Sequence, residues 1–205
     1  MKGLFIKDIY MAVKYCKSIL ILVLFFLVLG IFSENAEFFL MYPVLMAVVM
    51  PVTLLSYEER CKWDVCSRTM PYKKSWLVSE KFLFMCGILV IVTILTTVAK
   101  VFNEMVHGKL LFTEILQNQG VFFSIGLIAG SVLLTIIYKF GVEKGRMAYY
   151  GILIAMCIGI TCFDIPLEFE RIKMSTLWLI VLAADVIILA ASWKLSMYFN
   201  QKKEF

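Results

Sequence analysis

The sequence has few charged residues. Asp, Glu, Lys and Arg make up 17% of the chain, against about 25% in a typical soluble domain. Hydrophobic residues, by contrast, account for 62% of it. This balance cannot be enclosed in a single soluble core, so the composition excludes an ordinary soluble domain and favours a chain that crosses a bilayer several times.

Other scarcities exclude other kinds of site. His107 is the only histidine, and a catalytic or metal-binding role would need partners that converge on it. Cys61 and Cys66 lack the tight spacing of a zinc-binding pair, and the six cysteines are interpreted as small buried hydrophobes. No G-x-x-x-x-G-K-[ST] phosphate loop occurs. We therefore predict no catalytic residue, no metal site and no cofactor bound by this chain.

Six apolar stretches carry the fold prediction. A bilayer core of roughly 30 Å needs about 20 apolar residues per helix, and open-chain segments satisfy their backbone groups in lipid only as helices. No small-residue cleavage site follows the first stretch, so we expect it to stay as a span. The sequence predicts an all-α membrane protein with a six-span domain over 18–199, a tail at 200–205, and spans at about 18–33, 38–56, 82–102, 119–140, 147–163 and 176–193.

The first 17 residues are amphipathic. One helical face carries Lys7, Tyr10, Lys14 and Lys17, and another gathers Leu4, Phe5, Ile9, Ala12, Val13 and Cys16. This pattern is typical of a helix lying on the membrane surface. The alternative is that 1–17 extends the first span into the cytoplasm.

Orientation follows from the basic residues, because cytoplasmic loops retain them. With the N-terminus inside, only four of the 20 lysines and arginines fall outside: Lys100, Lys109, Arg171 and Lys173. The remainder flank the cytoplasmic ends of the spans. Both termini are predicted to be cytoplasmic in a multi-pass membrane protein. The basic residues alternate with apolar runs rather than forming a solvent-facing patch, so nucleic-acid binding is not expected.

Three residues within the spans stand out. Asp185 lies in the middle of the last apolar run, where a carboxylate costs about 2.5–3.5 kcal/mol on insertion scales. It must face protein, water or a cation, so it either lines a pathway or subunit interface, or is a protonated acid bonded to a neighbouring helix. Pro43 and Pro51 are expected to kink the second span.

Small residues recur at helical spacing in the fourth and fifth predicted spans. They are Gly126 and Gly130, then Gly151, Ala155 and Gly159. Small residues let helix backbones approach closely in lipid. Packing within the chain is the favoured interpretation, and a dimer seam is the alternative.

The segment 57–81 is longer and more aromatic than a turn between spans requires. It mixes charges of both signs with aromatic residues such as Trp63 and Trp76. Aromatics and arginine are enriched at protein interfaces, which indicates a docking element. An anchor at the lipid headgroups would have the same composition, and spacing alone does not separate the two.

This segment resembles the corresponding loop of the ABC type 2 permease family of bacterial exporters. The residues that match are Glu58-Glu59, Lys62-Trp63-Asp64, Met70-Pro71, Lys73-Lys74, Val78 and Lys81. The opening residues, 1–8, also look like the start of that family. The resemblance covers the whole chain in its layout.

The resemblance implies a membrane subunit served by a separate ATPase. Two copies of a cytoplasmic ATPase would bind ATP-Mg, and a second permease copy or a paralogue would complete the pathway. The 57–81 segment would contain a short coupling helix. The residues implied in ATPase docking are Glu58, Glu59, Arg60, Lys62, Trp63, Asp64 and Pro71.

Two other function classes share features with this sequence. The pair Glu58-Glu59 is similar to the Glu-Glu-x-x-x-Arg signature of intramembrane CAAX-type proteases, but Trp63 stands where the arginine belongs. A membrane immunity or signalling protein that binds a peptide without moving it stays open. For an exporter, the short predicted outer loops favour a hydrophobic or amphipathic cargo taken from the cytoplasm or inner leaflet, such as a small peptide, drug or lipid.

Overall fold

The computed structural model describes residues 2–33, 36–63, 66, 74–107, 112–147, 150–151 and 174–202. Within these residues the regular structure is helical. The six main helices are α1 (Lys2–Tyr15), α2 (Lys17–Phe32), α3 (Ala36–Arg60), α4 (Lys74–His107), α5 (Phe112–Phe140) and α6 (Met174–Lys202). An all-α architecture is therefore confirmed for the described part of the chain.

Four of these helices are long and apolar enough to cross a membrane. The candidate spans are Ala36–Arg60, Ser75–Val106, Ile115–Phe140 and Val181–Asn200, and the pair formed by α1 and α2 makes a fifth if it counts as one broken span. The protein is thus a multi-pass membrane protein. The predicted fifth span, 147–163, lies almost entirely outside the described residues, and the count of six stays a prediction.

The chain bends sharply between α1 and α2. The two helices meet at 72°, with Cys16 buried at the bend. Leu4 and Ala12, one turn either side of Asp8, face inward, and the Phe5 ring packs edge-on against Phe84 of α4 at 6.1 Å between centroids. The helix predicted at 1–17 is present as Lys2–Tyr15, while its position on the membrane surface stays a prediction.

The core lies where α3, α4 and α5 meet. Val44, Val48, Met85, Leu89 and Leu134 belong to one buried cluster, to which α6 adds partly buried residues such as Leu189. Since lipid supplies no hydrophobic force between helices, packing of this kind holds the bundle together.

Two glycines set the close approach of α5 to its neighbours. A Cβ added at Gly126 would lie 2.8 Å from Val44 Cγ1, and one at Gly130 would lie 2.5 Å from Met85 Sδ. Both distances are too short for a side chain. Packing within the chain is confirmed for these two residues. A Cβ added at Gly151 would meet nothing within 4 Å, and Ala155 and Gly159 lie outside the described part.

The helix α3 continues unbroken through Pro43 and Pro51, which are both buried. It also continues past residue 56, the predicted end of its span, so that Glu58 lies in its last turn. The next helix, α4, begins at Lys74. The segment between these helices is therefore shorter than the predicted loop of 57–81. Of its 13 positions, residues 61–63 and 66 are described.

Candidate functional site

A cluster of charged side chains is buried at the end of the bundle where α3 ends and α4 begins, here called the α3–α4 end. The cluster consists of Lys7 and Asp8 from α1, Glu58 from α3, and Glu80 and Lys81 from α4. Asp8 has no exposed surface, and Lys81 is 3% exposed. Three helices that are distant along the chain thus contribute charges to one interior site.

Lys81 is the centre of this charge cluster. Its Nζ donates to Asp8 Oδ2 at 2.6 Å and to Glu58 Oε1 at 2.7 Å. Lys7 Nζ donates to the same Glu58 oxygen and lies 3.3 Å from Asp8 Oδ1. Buried charges are tolerated only when they are paired and hydrogen-bonded, so these contacts fix the position of α1 against α3 and α4.

Glu80 is the exception within the cluster. It is 5% exposed, and neither of its carboxyl oxygens has a hydrogen-bond partner in the described structure. It nevertheless lies within electrostatic range of Asp8, Lys81, Lys7 and Glu58. The cluster therefore holds three carboxyl groups and two ammonium groups, one carboxyl group more than the cations can neutralise.

The cluster is joined to the α3–α4 segment through Trp63. Lys7 Nζ lies 4.3 Å from the centre of the Trp63 ring, an arrangement in which the aromatic face attracts the cation. The indole Nε1 of Trp63 is buried and has no acceptor among the described residues. Nearby, Tyr15 of α1 stacks on Tyr57 of α3 with 4.5 Å between ring centroids. One cation thus touches both the buried ions and the segment predicted to dock a partner.

The structure divides the predicted docking residues into two groups. Glu58 points into the cluster, so its carboxylate is engaged within the chain. Glu59, Arg60 and Lys62 are exposed, and Trp63 is half-buried. Asp64 and Pro71 lie outside the described residues. The exposed charges at the end of α3 are therefore the part of this set that is available to another protein.

Asp185 occupies a polar seam away from the charge cluster. It is 3% exposed, and both carboxyl oxygens lack a hydrogen-bond partner in the described structure. The buried face of α6 continues through Ser192 and Ser196, and the Ser196 hydroxyl lies 3.3 Å from that of Thr135 on α5. The predicted interior position of Asp185 is observed, while its role stays a prediction.

A family comparison decides what kind of protein carries these features. The model of the ABC-2 family transporter protein matches residues 3–201, which is nearly the whole chain. The chain belongs to the ABC-2 transporter family. The chain matches no curated protein and no solved structure.

As an ABC-2 family member, the chain is the membrane subunit of an ABC transporter, and its partner is a cytoplasmic ABC ATPase that hydrolyses ATP. The resemblance read from the segment after α3 is thereby confirmed. In the described part of this ABC-2 subunit, no three His, Cys, Asp or Glu side chains are placed to hold a metal ion.

Sequence reasoning missed the charge cluster of this ABC-2 subunit. The sequence places Lys7 on the polar face of the first helix and Lys81 among the residues that match the family loop, but it assigns no contact to Asp8 or Glu80. One local signal was available: Asp8 lies on the same helical face as Leu4 and Ala12, and a carboxylate inside an apolar stripe needs a buried partner. The identity of that partner was not readable, because Lys81 is 73 residues away in sequence.

Proposed function

We propose that this chain is the permease subunit of an ABC exporter in the bacterial cytoplasmic membrane, with both termini in the cytoplasm. It moves a hydrophobic or amphipathic substrate, such as a small peptide, out of the cell. A separate ATPase binds ATP-Mg and supplies the energy. The observation that carries the proposal is the family match over 3–201, and the distribution of basic residues supports the orientation.

The ATPase docks on the α3–α4 segment. Glu59, Arg60 and Lys62 present charges of both signs to solvent, which suits a polar interface rim. Beside them, the unsatisfied indole N–H of Trp63 gains an acceptor if a partner covers it, since a buried donor without an acceptor is costly. Asp64 and Pro71 belong to the same proposed surface on the basis of sequence.

Two permease copies, or this chain and a paralogue, enclose the pathway, and each engages one ATPase. Asp185 is assigned to this pathway or to the interface between the two permeases, because an intramembrane acid without a partner marks a functional position. Pro43 and Pro51 are buried in α3. They are assigned to the same pathway or interface, because each proline removes a backbone N–H donor from the helix.

Copurification tests the docking proposal. We expect Arg60→Glu combined with Glu59→Lys to reduce the ATPase recovered with the permease by more than about tenfold, since reversing rim charges produces repulsion worth more than about 1.4 kcal/mol. The matched control is Lys14→Glu, which reverses an exposed charge on α1. An intact complex with the double variant would rule out this surface. Recovery of the unsubstituted permease without any ATPase would rule out the function.

Orientation has its own test. Cys61 is exposed in the α3–α4 segment, so a membrane-impermeant maleimide should label it in inside-out vesicles and leave it unlabelled in intact cells. Cys66 is also exposed, and a Cys66→Ser background isolates the signal from Cys61. Labelling in intact cells would show that Cys61 faces the outside. The proposed orientation would then be wrong, and the proposed docking surface could not meet a cytoplasmic ATPase.

A further inference from the structure

The charge cluster contains one cation that can leave while the carboxylates it contacts keep a hydrogen bond to a second cation. Glu58 Oε1 accepts from both Lys7 and Lys81, and Asp8 is likewise held by Lys81 at 2.6 Å. If Lys7 departed, Lys81 would still donate a hydrogen bond to each carboxylate. The Lys7 side chain is 23% exposed and that of Lys81 is 4% exposed, so Lys7 is also the one with room to move.

A second acceptor for this cation already lies in the cluster. Glu80 is buried and has no hydrogen-bond partner within the described structure, and its electrostatic neighbours include Lys7. A buried carboxyl group without a partner is costly. Transfer of Lys7 from Glu58 to Glu80 exchanges one ion pair for another and satisfies the carboxyl group that is now unsatisfied. The transfer keeps the number of ion pairs of Lys7 constant, so the cluster offers two alternative arrangements, as a conformational switch requires.

We infer that Lys7 is the moving contact that transmits motion of the docked α3–α4 segment to the N-terminal helix, with Glu58 and Glu80 as its alternative partners. The inference rests on the proposed ATPase docking. Because the Lys7 ammonium lies over the Trp63 ring, displacement of Trp63 removes one of the attractions that hold Lys7 beside Glu58. Lys7 then pairs with Glu80, and α1 moves from α3 towards α4.

The decisive variant is Glu80→Gln. It removes the alternative partner and leaves the contacts of Lys81 with Asp8 and Glu58 in place. If the cluster were only an anchor, this change would leave the motion of α1 untouched and would relieve an unpaired buried carboxyl group. If the cluster is a switch, the motion disappears while the folded complex stays intact. Folding and switching are thereby separated in a single variant.

The experiment measures the distance between α1 and α4 in the permease–ATPase complex in lipid nanodiscs. Spin labels replace Tyr10 and Leu83, which are 77% and 59% exposed, in a background whose native cysteines are replaced. We expect trapping with ATP and vanadate to shorten this distance in the parent protein, and Glu80→Gln to abolish the change. Glu104→Gln, at the other end of α4, is the matched control and should retain it.

Two further results complete the test. Lys7→Gln should also abolish the change, and the double variant with Glu80→Gln should behave like either single variant, because both act through one contact. A change that persists in Glu80→Gln, or that is missing from the parent, overturns the inference and leaves the proposed function standing. Loss of the ATPase from the parent complex overturns both.

Discussion

The two ends of the helical bundle are held by polar contacts of different kinds. At the α3–α4 end, Lys81 lies inside the protein between Asp8 and Glu58. At the opposite end, where α4 ends and α5 begins, Lys100 pairs with Glu37 at 3.3 Å, but the Glu37 side chain is 56% exposed. Lys100 also lies 3.8 Å from Glu104, whose side chain is 15% exposed. Both ends contain ion pairs, and those centred on Lys81 are the more deeply buried.

The difference in burial predicts a difference in energetics and in role. An exposed ion pair contributes about 0–1 kcal/mol and is screened by salt, so it tolerates movement. A buried ion pair gives little net stability when intact, yet removing one partner costs about 3–5 kcal/mol. The α3–α4 end is therefore restricted to arrangements in which its charges are paired, which suits the end proposed to receive force from an ATPase.

The largest effect expected from this comparison follows Lys81→Met. The substitution leaves Asp8 and Glu58 buried with only Lys7 to neutralise them, and it should lower the free energy of unfolding by about 3–5 kcal/mol. Denaturation of the purified protein in detergent, followed by helical circular dichroism, measures this quantity. The control is Lys100→Met, for which we expect a smaller loss, because its partner Glu37 is 56% exposed and stays hydrated when the pair is broken. Equal losses from the two substitutions would remove the distinction between the ends.

An intermediate effect is expected from Asn103→Leu at the opposite end. The Asn103 amide donates to the carbonyl oxygens of Gly30, Ile31 and Ser33 at 2.9–3.1 Å, so it satisfies the end of α2. Its loss leaves buried carbonyl groups without a donor, at a cost of about 1–3 kcal/mol. Asn118→Leu is the control, since Asn118 donates to the exposed Glu37. If Asn118→Leu lowers the free energy of unfolding by the same amount, the stabilising effect of Asn103 does not come from its hydrogen bonds to the end of α2.

The smallest effect is expected from Glu37→Gln. Its ion pair with Lys100 is exposed, so the free energy of unfolding should fall by less than about 1 kcal/mol, and the difference should shrink as ionic strength rises. Unfolding measured at low and high salt tests both statements. A loss that is large and insensitive to salt would show that the two ends are held in the same way.

Sequence alone could predict where most of the described helices lie. The apolar runs at 38–56, 119–140 and 176–193 fall inside α3, α5 and α6, because about 20 apolar residues mark a span. The helices α3 and α6 extend beyond these runs on both sides, and α5 extends beyond its run on the N-terminal side. Hydropathy cannot detect those extra turns, since a helix continues outside the hydrocarbon while its residues become polar. Glu58 was thus assigned to a loop, although it belongs to α3.

The charge cluster could not be predicted because its contacts are nonlocal. Lys7 and Glu58 are 51 positions apart, and Asp8 and Lys81 are 73 apart, so no pattern of spacing within one helix encodes their pairing. The family resemblance of the segment 57–81 could be read from the sequence for the opposite reason, since its aromatic and charged residues are close together along the chain. What the sequence lacks is the direction in which each side chain points, and that direction separates buried Glu58 from exposed Glu59.

The length of α4 joins the two ends mechanically. Lys81 and Asn103 lie on the same helix, 22 residues apart, which corresponds to about 33 Å along the axis. Between them, the bare backbone at Gly130 rests against the flexible Met85 thioether. Because one continuous helix carries both contacts, a tilt of α4 at the charged end also displaces Asn103, and with it the end of α2 to which Asn103 is bonded.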